Sequence, residues 1–226
     1  MRREPIASEM LLLGATGLVG GALLQRLLVA RGDDARPIWA PLRRSPAVAH
    51  PALRAMSIDP GQAMPDEAEP TAFVCCLGTT LRQAGSAEKF VAVDRDLVLQ
   101  WAQRARQSGA NHALLVSSVG ADPASRNLYL RTKGEVERGL GALGFARLDI
   151  LRPGLLIGQR GGPVRPAESL GQVMTPLLDR LLLGRLRRYR SIAATQVAAA
   201  LFNLLDQRSP GVFIHQHDQL LDWAQR

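Results

Sequence analysis

Residues 14–20 read Gly14-Ala-Thr-Gly17-Leu-Val-Gly20 and follow directly on a short apolar run, Met10–Leu13. The run has the length of a buried strand, and the residues after the glycines carry an apolar stripe at helical spacing. A strand, a glycine-rich turn and a helix in this order bring the backbone close to a pyrophosphate at a helix N-terminus. This stretch therefore predicts a fold that binds a dinucleotide.

Each glycine of the loop has its own predicted role. Gly14 permits the tight turn, Gly17 removes a side chain that would block the phosphates, and Gly20 lets the helix pack closely on the sheet. The spacing differs from the better-known Gly-x-Gly-x-x-Gly, and a glycine-rich turn used only for packing is the alternative. The other predicted loop contacts, made chiefly through backbone N–H groups, come from Thr16, Leu18 and Val19.

Further along the chain, short apolar runs alternate with helical patterns, which is typical of a parallel sheet covered on both faces. Ser86 is the predicted cap of a helix with the apolar stripe Phe90, Val93, Leu97 and Trp101. We expect an α/β fold, a Rossmann-type doubly wound parallel sheet over residues 1–158, completed by a small C-terminal substrate-side lobe over 159–226. The later strands are predicted at 37–42, up to 58–59, and at 72–77, 113–117, 148–151 and 212–215.

The cofactor type is predicted from the end of the second strand. An acidic residue there suits the ribose of NAD, whereas cationic side chains suit the 2′-phosphate of NADP. The sequence has Arg43 and Arg44 with no acid nearby, which favours NADP(H) over NAD(H); two exposed loop arginines are the alternative. Asp59 is placed either to meet the adenine amino group or to cap its own loop. Leu77 and Gly78 are expected beside the cofactor, because parallel strands deliver their carboxyl ends to the ligand crevice.

Tyr129 and Lys133 are four residues apart, so on a helix they share one face. A phenol near an ammonium and an oxidised nicotinamide can act as a proton relay, and the lysine can hold the nicotinamide ribose hydroxyls. Ser117 and Ser118 end the preceding strand and can hydrogen-bond the substrate oxygen, with Ser118 preferred. A core tyrosine beside a surface lysine is the alternative for the pair.

The formal charge of +8 raises the question of nucleic-acid binding. Arginines are spread over the whole chain and aromatic side chains are too sparse for a stacking platform, so no nucleic-acid partner is expected. The run Arg185, Arg187, Arg188 and Arg190 is interpreted as a solvated helix end. His215 and His217 share a strand face, but no third ligand is evident, so no metal site is predicted.

The location predicted from the sequence is cytoplasmic. No apolar stretch reaches the roughly 20 residues that a membrane-spanning helix needs, so no integral membrane association is expected. Cys75 and Cys76 are interpreted as packed thiols of a reducing compartment. Residues 170–186 suit a lid, a subunit interface or a membrane-surface helix equally well, which leaves a homo-oligomer open.

The motifs together resemble the short-chain dehydrogenase/reductases of the extended or atypical type, and among them the Tat-interacting oxidoreductases and their bacterial relatives. The matching stretches are GATGLVG at 14–20, CLGTT at 76–80 with its preceding cysteine, VDRDLVL at 93–99, SSVGAD at 117–122, LYLRTKGEVE at 128–137 and LRPGLL at 151–156. The resemblance implies NADP binding, with Tyr129 as proton acceptor and Lys133 beside it. It also implies cofactor contacts at Thr16, Gly17, Leu18, Val19, Arg43, Arg44, Leu77, Gly78 and Leu156.

Two positions depart from the pattern of that superfamily. Asp94 stands where many members place an asparagine on the helix after the fourth strand, and Val119 stands where some carry the active-site hydroxyl.

The sequence leaves three candidate functions: an NADP(H)-dependent oxidoreductase acting on a small carbonyl or hydroxyl substrate, a redox-sensing NADP(H)-binding protein with little turnover, and a nucleotide-sugar epimerase or dehydratase. The first is favoured, and the third is disfavoured because about 70 C-terminal residues leave little room for a nucleotide-sugar site.

Overall fold

The computed structural model describes residues 9–32, 34–43, 49–59, 61, 64–158, 179 and 182–226. Within these residues seven parallel strands form the main sheet, and two more strands form a separate parallel pair. The strands are β1 (Met10–Leu13), β2 (Ile38–Leu42), β3 (Leu53–Ser57), β4 (Ala72–Cys75), β5 (His112–Val116), β6 (Arg147–Leu151), β7 (Leu156–Ile157), β8 (Ile192–Ala193) and β9 (Gly211–His215).

The main sheet has the strand order β3-β2-β1-β4-β5-β6-β9, so the chain reverses direction across the sheet between β1 and β4. In a doubly wound sheet this reversal opens a crevice at the carboxyl ends of the two strands. The prediction of a Rossmann-type doubly wound parallel sheet is confirmed. The glycine loop follows β1 and therefore lies at the crevice.

Helices cover both faces of the sheet. Successive strand residues point to opposite sides, and apolar side chains on both sides of these strands need to be covered. In β1, Met10 and Leu12 belong to one core layer, while Leu11 and Leu13 belong to the other. The helical elements are α1 (Leu18–Arg31), α2 (Leu81–Ala84), α3 (Ala87–Val91), a π-helical segment (Ala92–Leu97), α4 (Val98–Gln107), α5 (Leu128–Ala142), a 3₁₀ turn (Gly184–Tyr189), α6 (Ala194–Leu204) and α7 (His217–Ala224).

Cys75 and Cys76 follow the same alternation and are free thiols. Cys75 belongs to the layer under α4 and α5, whereas Cys76 packs against the layer under α1 and α6. Burial raises the pKa of the Cys75 thiol to about 11 and that of Cys76 well above its usual value. Both therefore pack as neutral thiols at neutral pH.

The apolar stripe predicted on the helix after β4 differs from the observed one at its two middle positions, each of which moves by one residue. Ser86 does cap α3, accepting a hydrogen bond from the Lys89 backbone nitrogen at 3.2 Å. Phe90 and Trp101 are buried as expected, but the fully buried positions between them are Asp94 and Val98, while Val93 and Leu97 are half-buried. This stretch contains the π-helical segment, whose i→i+5 hydrogen bonds widen the turn.

Described residues of the C-terminal part join the main sheet. Strand β9 pairs with β6 in parallel, with Ile150 opposite Ile214, and α6 packs on α1. Most of residues 159–181 lie outside the described part of the chain, and with them most of the 170–186 segment. The boundary at residue 158 therefore stays a prediction.

A buried charged cluster fastens β9 to the sheet. The Asp149 carboxylate on β6 accepts two hydrogen bonds from Arg147, at 2.6 and 2.9 Å. It also lies 2.7 Å from the Nε2 atom of both His112 on β5 and His215 on β9. Because an ionised carboxylate only accepts hydrogen bonds, both imidazoles present an Nε2–H group to it. Burial alone would raise the pKa of Asp149, but the hydrogen bonds from the two histidines and Arg147 hold it well below its usual value.

We predict that Asp149→Asn lowers the free energy of unfolding by about 3–5 kcal/mol, because it leaves a buried arginine without its counter-charge. Urea denaturation at pH 7 measures this change. Asp206→Asn, at an exposed position after α6, is the control and is expected to stay within about 0.5 kcal/mol of the parent.

The same carboxylate sets an acid dependence. Its folded pKa lies below the ordinary value of 3.8, so its contribution to stability is present above that value and is lost as the pH falls towards the folded pKa. The parent should therefore lose stability below about pH 4 more steeply than Asp149→Asn. Parallel acid-denaturation curves for the two proteins would contradict this assignment.

Candidate active site at the carboxyl edge of the sheet

The glycine loop packs backbone against backbone at the point where the strand order reverses. Gly14 has a φ of +88°, and a Cβ atom there would lie 2.5 Å from the Leu77 backbone nitrogen. A Cβ atom at Gly20 would lie 2.1 Å from the Gly14 carbonyl oxygen. No other residue fits either position without moving the backbone, so the loop after β1 is held directly against the segment after β4.

The start of α1 is open at this loop. Gly17 precedes the first helical residue, and α1 begins with no side-chain cap. Thr16 and Gly17 are exposed, Leu18 is half-buried, and Val19 and Gly20 are buried. Since the first-turn N–H groups of a helix have no intrahelical acceptor, they can receive an anion. The Val19 side chain belongs to the core, so any contact it makes with a ligand at the loop is through its backbone.

Strand β4 delivers Leu77 and Gly78 to the same edge, where Gly78 meets the helix that carries the acid/base pair. A Cβ atom at Gly78 would lie 3.4 Å from the Lys133 Nζ atom and 3.7 Å from Asp94 Oδ1. Lys133 is 4% exposed, and its Nζ atom donates to Asp94 Oδ1 at 3.0 Å. The alternative of a surface lysine is therefore wrong.

The electrostatics of Lys133 follow from that ion pair. Burial alone would lower the pKa of the ammonium, but the Asp94 carboxylate, with smaller contributions from Tyr129 and Cys75, leaves the pKa above its usual value. Lys133 is thus charged at neutral pH. Its Nζ atom lies 5.9 Å from the centre of the Tyr129 ring, on the same face of α5.

Tyr129 is half-buried in the first turn of α5, with its ring centre 6.0 Å from that of Phe90. Asn127 begins this helix, its side chain accepting a hydrogen bond from the Leu130 backbone nitrogen at 3.2 Å. Among the described residues, no hydrogen bond engages the Tyr129 hydroxyl. The phenol is therefore available to a ligand.

The two serines after β5 differ in what they contact. The Ser117 hydroxyl is buried and donates to the Glu137 carboxylate, which also accepts two hydrogen bonds from Arg152. Ser118 is half-buried, and its hydroxyl makes only a local hydrogen bond of 3.3 Å to the Val119 carbonyl oxygen. Ser118 is thus the serine that can turn to a substrate, and its catalytic role stays a prediction.

Of the residues predicted to contact the adenosine end of the cofactor, the structure describes two and leaves out the third. Arg43 is exposed immediately after β2, at the carboxyl edge, while Arg44 lies outside the described residues. Asp59 is exposed too, and its carboxylate accepts a hydrogen bond from the Gly61 backbone nitrogen at 2.8 Å. Its loop-capping role is thus observed, and the adenine contact stays a prediction.

Leu156, on β7, lies on the same side of the sheet as the glycine loop. Leu18, Cys76 and Leu156 all pack against the core layer under α1 and α6. The residue after β7, Gly158, leaves room for Leu18, since a Cβ atom there would lie 2.9 Å from a Leu18 methyl carbon. The chain after β6 therefore passes over the start of α1.

Three residues of the site escaped the sequence reasoning. Asp94 was noted only as a departure, although a carboxylate at a helical position near a lysine of the next helix suggests an ion pair. Glu137 lies four residues after Lys133 on the same face, and this spacing could have drawn attention to it. Gly134 is required because a Cβ atom there would lie 2.3 Å from the Pro123 backbone nitrogen; nothing in the local pattern signals that contact.

Other parts of the described structure give less support for a ligand site. An open depression of about 660 Å³ lies at the amino ends of β4 and β5, away from the glycine loop, between residues 64–71 and 107–109. Within the described residues, no group of three or more His, Cys, Asp or Glu side chains could hold a metal ion. The described helices include none that is both long and apolar enough to cross a bilayer.

Comparison with solved structures places the fold among NAD-binding enzymes. The enzyme WbmH of Bordetella bronchiseptica, solved in complex with NAD⁺, superposes with a TM-score of 0.65 over 92% of this chain and 75% of that one, at 14% identity. At this identity the likeness concerns the fold. Together with the strand order of the main sheet, it shows a Rossmann-type α/β fold of the kind seen in NAD-binding epimerases and short-chain dehydrogenase/reductases.

Comparison with curated proteins gives the family. The mitochondrial protein fmp52 of Emericella nidulans is 38% identical over 183 residues, which cover 75% of this chain and 76% of that protein. Protein HTATIP2 of Rattus norvegicus is 46% identical over 138 residues, 61% of this chain and 53% of that protein. The chain belongs to the family of the FMP52 proteins and is a homologue of HTATIP2, so the resemblance to the Tat-interacting oxidoreductases is confirmed; the fold is consistent with an atypical short-chain dehydrogenase/reductase. No family model matches the chain.

The prediction of a cytoplasmic location is wrong by the same comparison. The fungal relatives are named as mitochondrial proteins, which conflicts with it. The prediction depended on the lack of a long apolar stretch and on the two cysteines interpreted as packed thiols, and neither property distinguishes cytoplasm from mitochondrion.

We predict that Gly20→Ala lowers the free energy of unfolding by about 2–3 kcal/mol, because the added methyl group would overlap the Gly14 carbonyl oxygen. Gly21→Ala on the same helix is the matched control, since its Cβ atom would make an ordinary contact of 3.6 Å with Ala15. That change should raise the free energy of unfolding by about 0.5–1 kcal/mol. Urea denaturation measures both, and equal effects of the two substitutions would refute the close packing.

Proposed function

We propose that the chain is an NADP(H)-dependent oxidoreductase acting on a small carbonyl or hydroxyl substrate. The observation that carries this proposal is the position of the Lys133 ammonium, beside Gly78 at the point where the strand order reverses and within 5.9 Å of the Tyr129 ring. A nicotinamide cofactor extended from the glycine loop along the carboxyl edge would reach this pair.

The described residues fit a dinucleotide in three respects. Gly14 and Gly20 leave no room for side chains, which keeps the glycine loop close to the segment after β4 and to the start of α1. The start of α1 is uncapped and can receive the pyrophosphate. Arg43 is exposed at the end of β2, where a cation suits a 2′-phosphate. Gly14, Thr16, Gly17, Leu18, Val19, Gly20, Arg43, Arg44, Leu77, Gly78 and Leu156 are the proposed cofactor contacts, together with Tyr129 and Lys133.

The chain's own residues would transfer one proton to or from the substrate oxygen. When bound, the cofactor supplies or accepts the hydride. In the reductive direction the Tyr129 hydroxyl donates a proton to the substrate oxygen, and the charged Lys133 stabilises the phenolate that remains. The Ser118 hydroxyl donates a hydrogen bond to the same oxygen and orients it. In the oxidative direction the phenolate takes the proton back.

Cofactor choice is tested by titrating the protein with NADPH and NADH and following nicotinamide fluorescence. We predict that NADPH binds more tightly and that Arg43→Gln weakens NADPH binding roughly tenfold or more, since a charge-assisted hydrogen bond contributes about 1.5–3 kcal/mol. NADH binding should not change. Arg54→Gln removes an exposed charge from the adjacent strand β3 and is the control. Equal or tighter binding of NADH by the parent would remove the argument from Arg43.

Turnover is tested with a panel of small aldehydes and ketones and NADPH. We predict that Tyr129→Phe reduces kcat by about 100-fold or more while leaving NADPH affinity within a few-fold, because it removes the proton donor alone. The chain has only one other tyrosine, so Tyr189→Phe is the matched control. Activity that survives in Tyr129→Phe would exclude the relay. Tight NADPH binding without turnover of any carbonyl would instead favour the redox-sensing alternative.

A further inference from the structure

Asp94 joins two elements of the proposed site through one buried carboxylate. Its Oδ1 atom accepts a hydrogen bond from Lys133 Nζ at 3.0 Å, and its Oδ2 atom accepts one from the Thr79 backbone nitrogen at 2.9 Å. The side chain is fully buried. The acid/base helix and the loop after β4 are therefore tied to the same group.

Asp94 lies in an uncommon backbone element. It is part of the π-helical segment between α3 and α4, where Asp94 and Val98 are buried while Val93 and Leu97 are half-buried. Such π segments within α-helices occur frequently at functional sites. A charged residue is thus buried within this segment.

Few other charges face Lys133. Tyr129 on its own helix and Cys75 on β4 are the neighbouring titratable groups, and each contributes less than Asp94 to raising the pKa of Lys133. Glu137, one turn further along α5, is already engaged by Ser117 and Arg152. Among the described residues, Asp94 is the carboxylate that pairs with the ammonium. A buried lysine without such a partner loses its proton readily.

We propose that Asp94 is the positioning residue of the acid/base pair, holding the Lys133 ammonium protonated and in place beside Tyr129 and tying it to the loop after β4. The inference builds on the proposed function and deepens it. Many short-chain dehydrogenase/reductases have an asparagine at the position of Asp94. The carboxylate has a different task, because an asparagine side chain carries no charge that could neutralise a buried ammonium. Asp94 acts through Lys133 and does not itself exchange a proton with the substrate.

The chain allows a direct test, because Lys89 and Lys133 are its only lysines. In protein labelled with ¹³C-lysine, the Cε–Hε NMR signals follow the two ammonium groups separately as the pH is raised. Lys89 is exposed on α3 and serves as the internal reference. In the parent we expect Lys133 to lose its proton at or above the pH at which Lys89 does, despite its burial. A Lys133 that titrates below Lys89 would overturn the proposal.

The variant Asp94→Asn should lower the pH at which Lys133 titrates by about 2 pH units or more and leave Lys89 unchanged. Asp96→Asn, which removes an exposed carboxylate paired with Arg95 in the same segment, should leave both lysines unchanged. An unshifted Lys133 in Asp94→Asn would refute the positioning role. These titrations need neither cofactor nor substrate, so a carbonyl screen without turnover leaves the inference standing, and an unshifted Lys133 leaves the Tyr129 relay open.

Should Asp94→Asn fold too poorly for NMR, thermal unfolding of a double variant decides the matter. Lys133→Met removes the ammonium and keeps a long side chain, so the double variant Asp94→Asn, Lys133→Met should unfold at a higher temperature than Asp94→Asn alone. This order is expected because the unpaired buried charge is gone. A double variant no more stable than Asp94→Asn would contradict the pairing, as would a parent in which Lys133 titrates below Lys89.

Discussion

The contact between the glycine loop and the segment after β4 constrains everything at the proposed site. At Gly14 the loop backbone lies directly on the Leu77 backbone, and at Gly20 the start of α1 lies directly on the Gly14 carbonyl oxygen, so neither position has room for a Cβ atom. This contact forms where the strand order reverses, so the open start of α1 and the residues Leu77 and Gly78 meet at one crevice. The remaining site residues reach the crevice because parallel strands all end at the same edge.

Helix α5 is positioned by charge as well as by apolar packing. Its buried face carries Lys133 and Glu137, and each would be costly in the interior without a partner. Asp94 supplies one partner, and Arg152, after β6, supplies the other. Because an unpaired buried charge is strongly unfavourable, these pairs resist any sliding of α5 along the sheet. Tyr129, on the same helix, has no hydrogen bond to its hydroxyl among the described residues.

The comparisons and the geometry support different parts of the functional picture. Identity of 38% across most of the fungal relative shows the family, whereas 14% identity to WbmH shows only that the fold is shared with an enzyme solved with NAD⁺. The proposals on substrate class and cofactor preference therefore rest on this chain's own residues. Of the two arginines that favour NADP(H), only Arg43 lies in the described part of the chain.

The sequence by itself determined the class of fold and predicted the pair Tyr129 and Lys133, whose acid/base role is part of the proposed function. Strand and helix periods, the glycine spacing and the four-residue separation of Tyr129 and Lys133 are local properties, and the parallel-sheet rule converts them into a common edge. Only the tertiary structure decided the partners: Lys133 with Asp94, 39 residues away, and Ser117 with Glu137, 20 residues away. It also decided the shifted stripe of the helix after β4. These features depend on which distant groups meet in the interior, where burial makes pairing obligatory, and no local period records such a meeting.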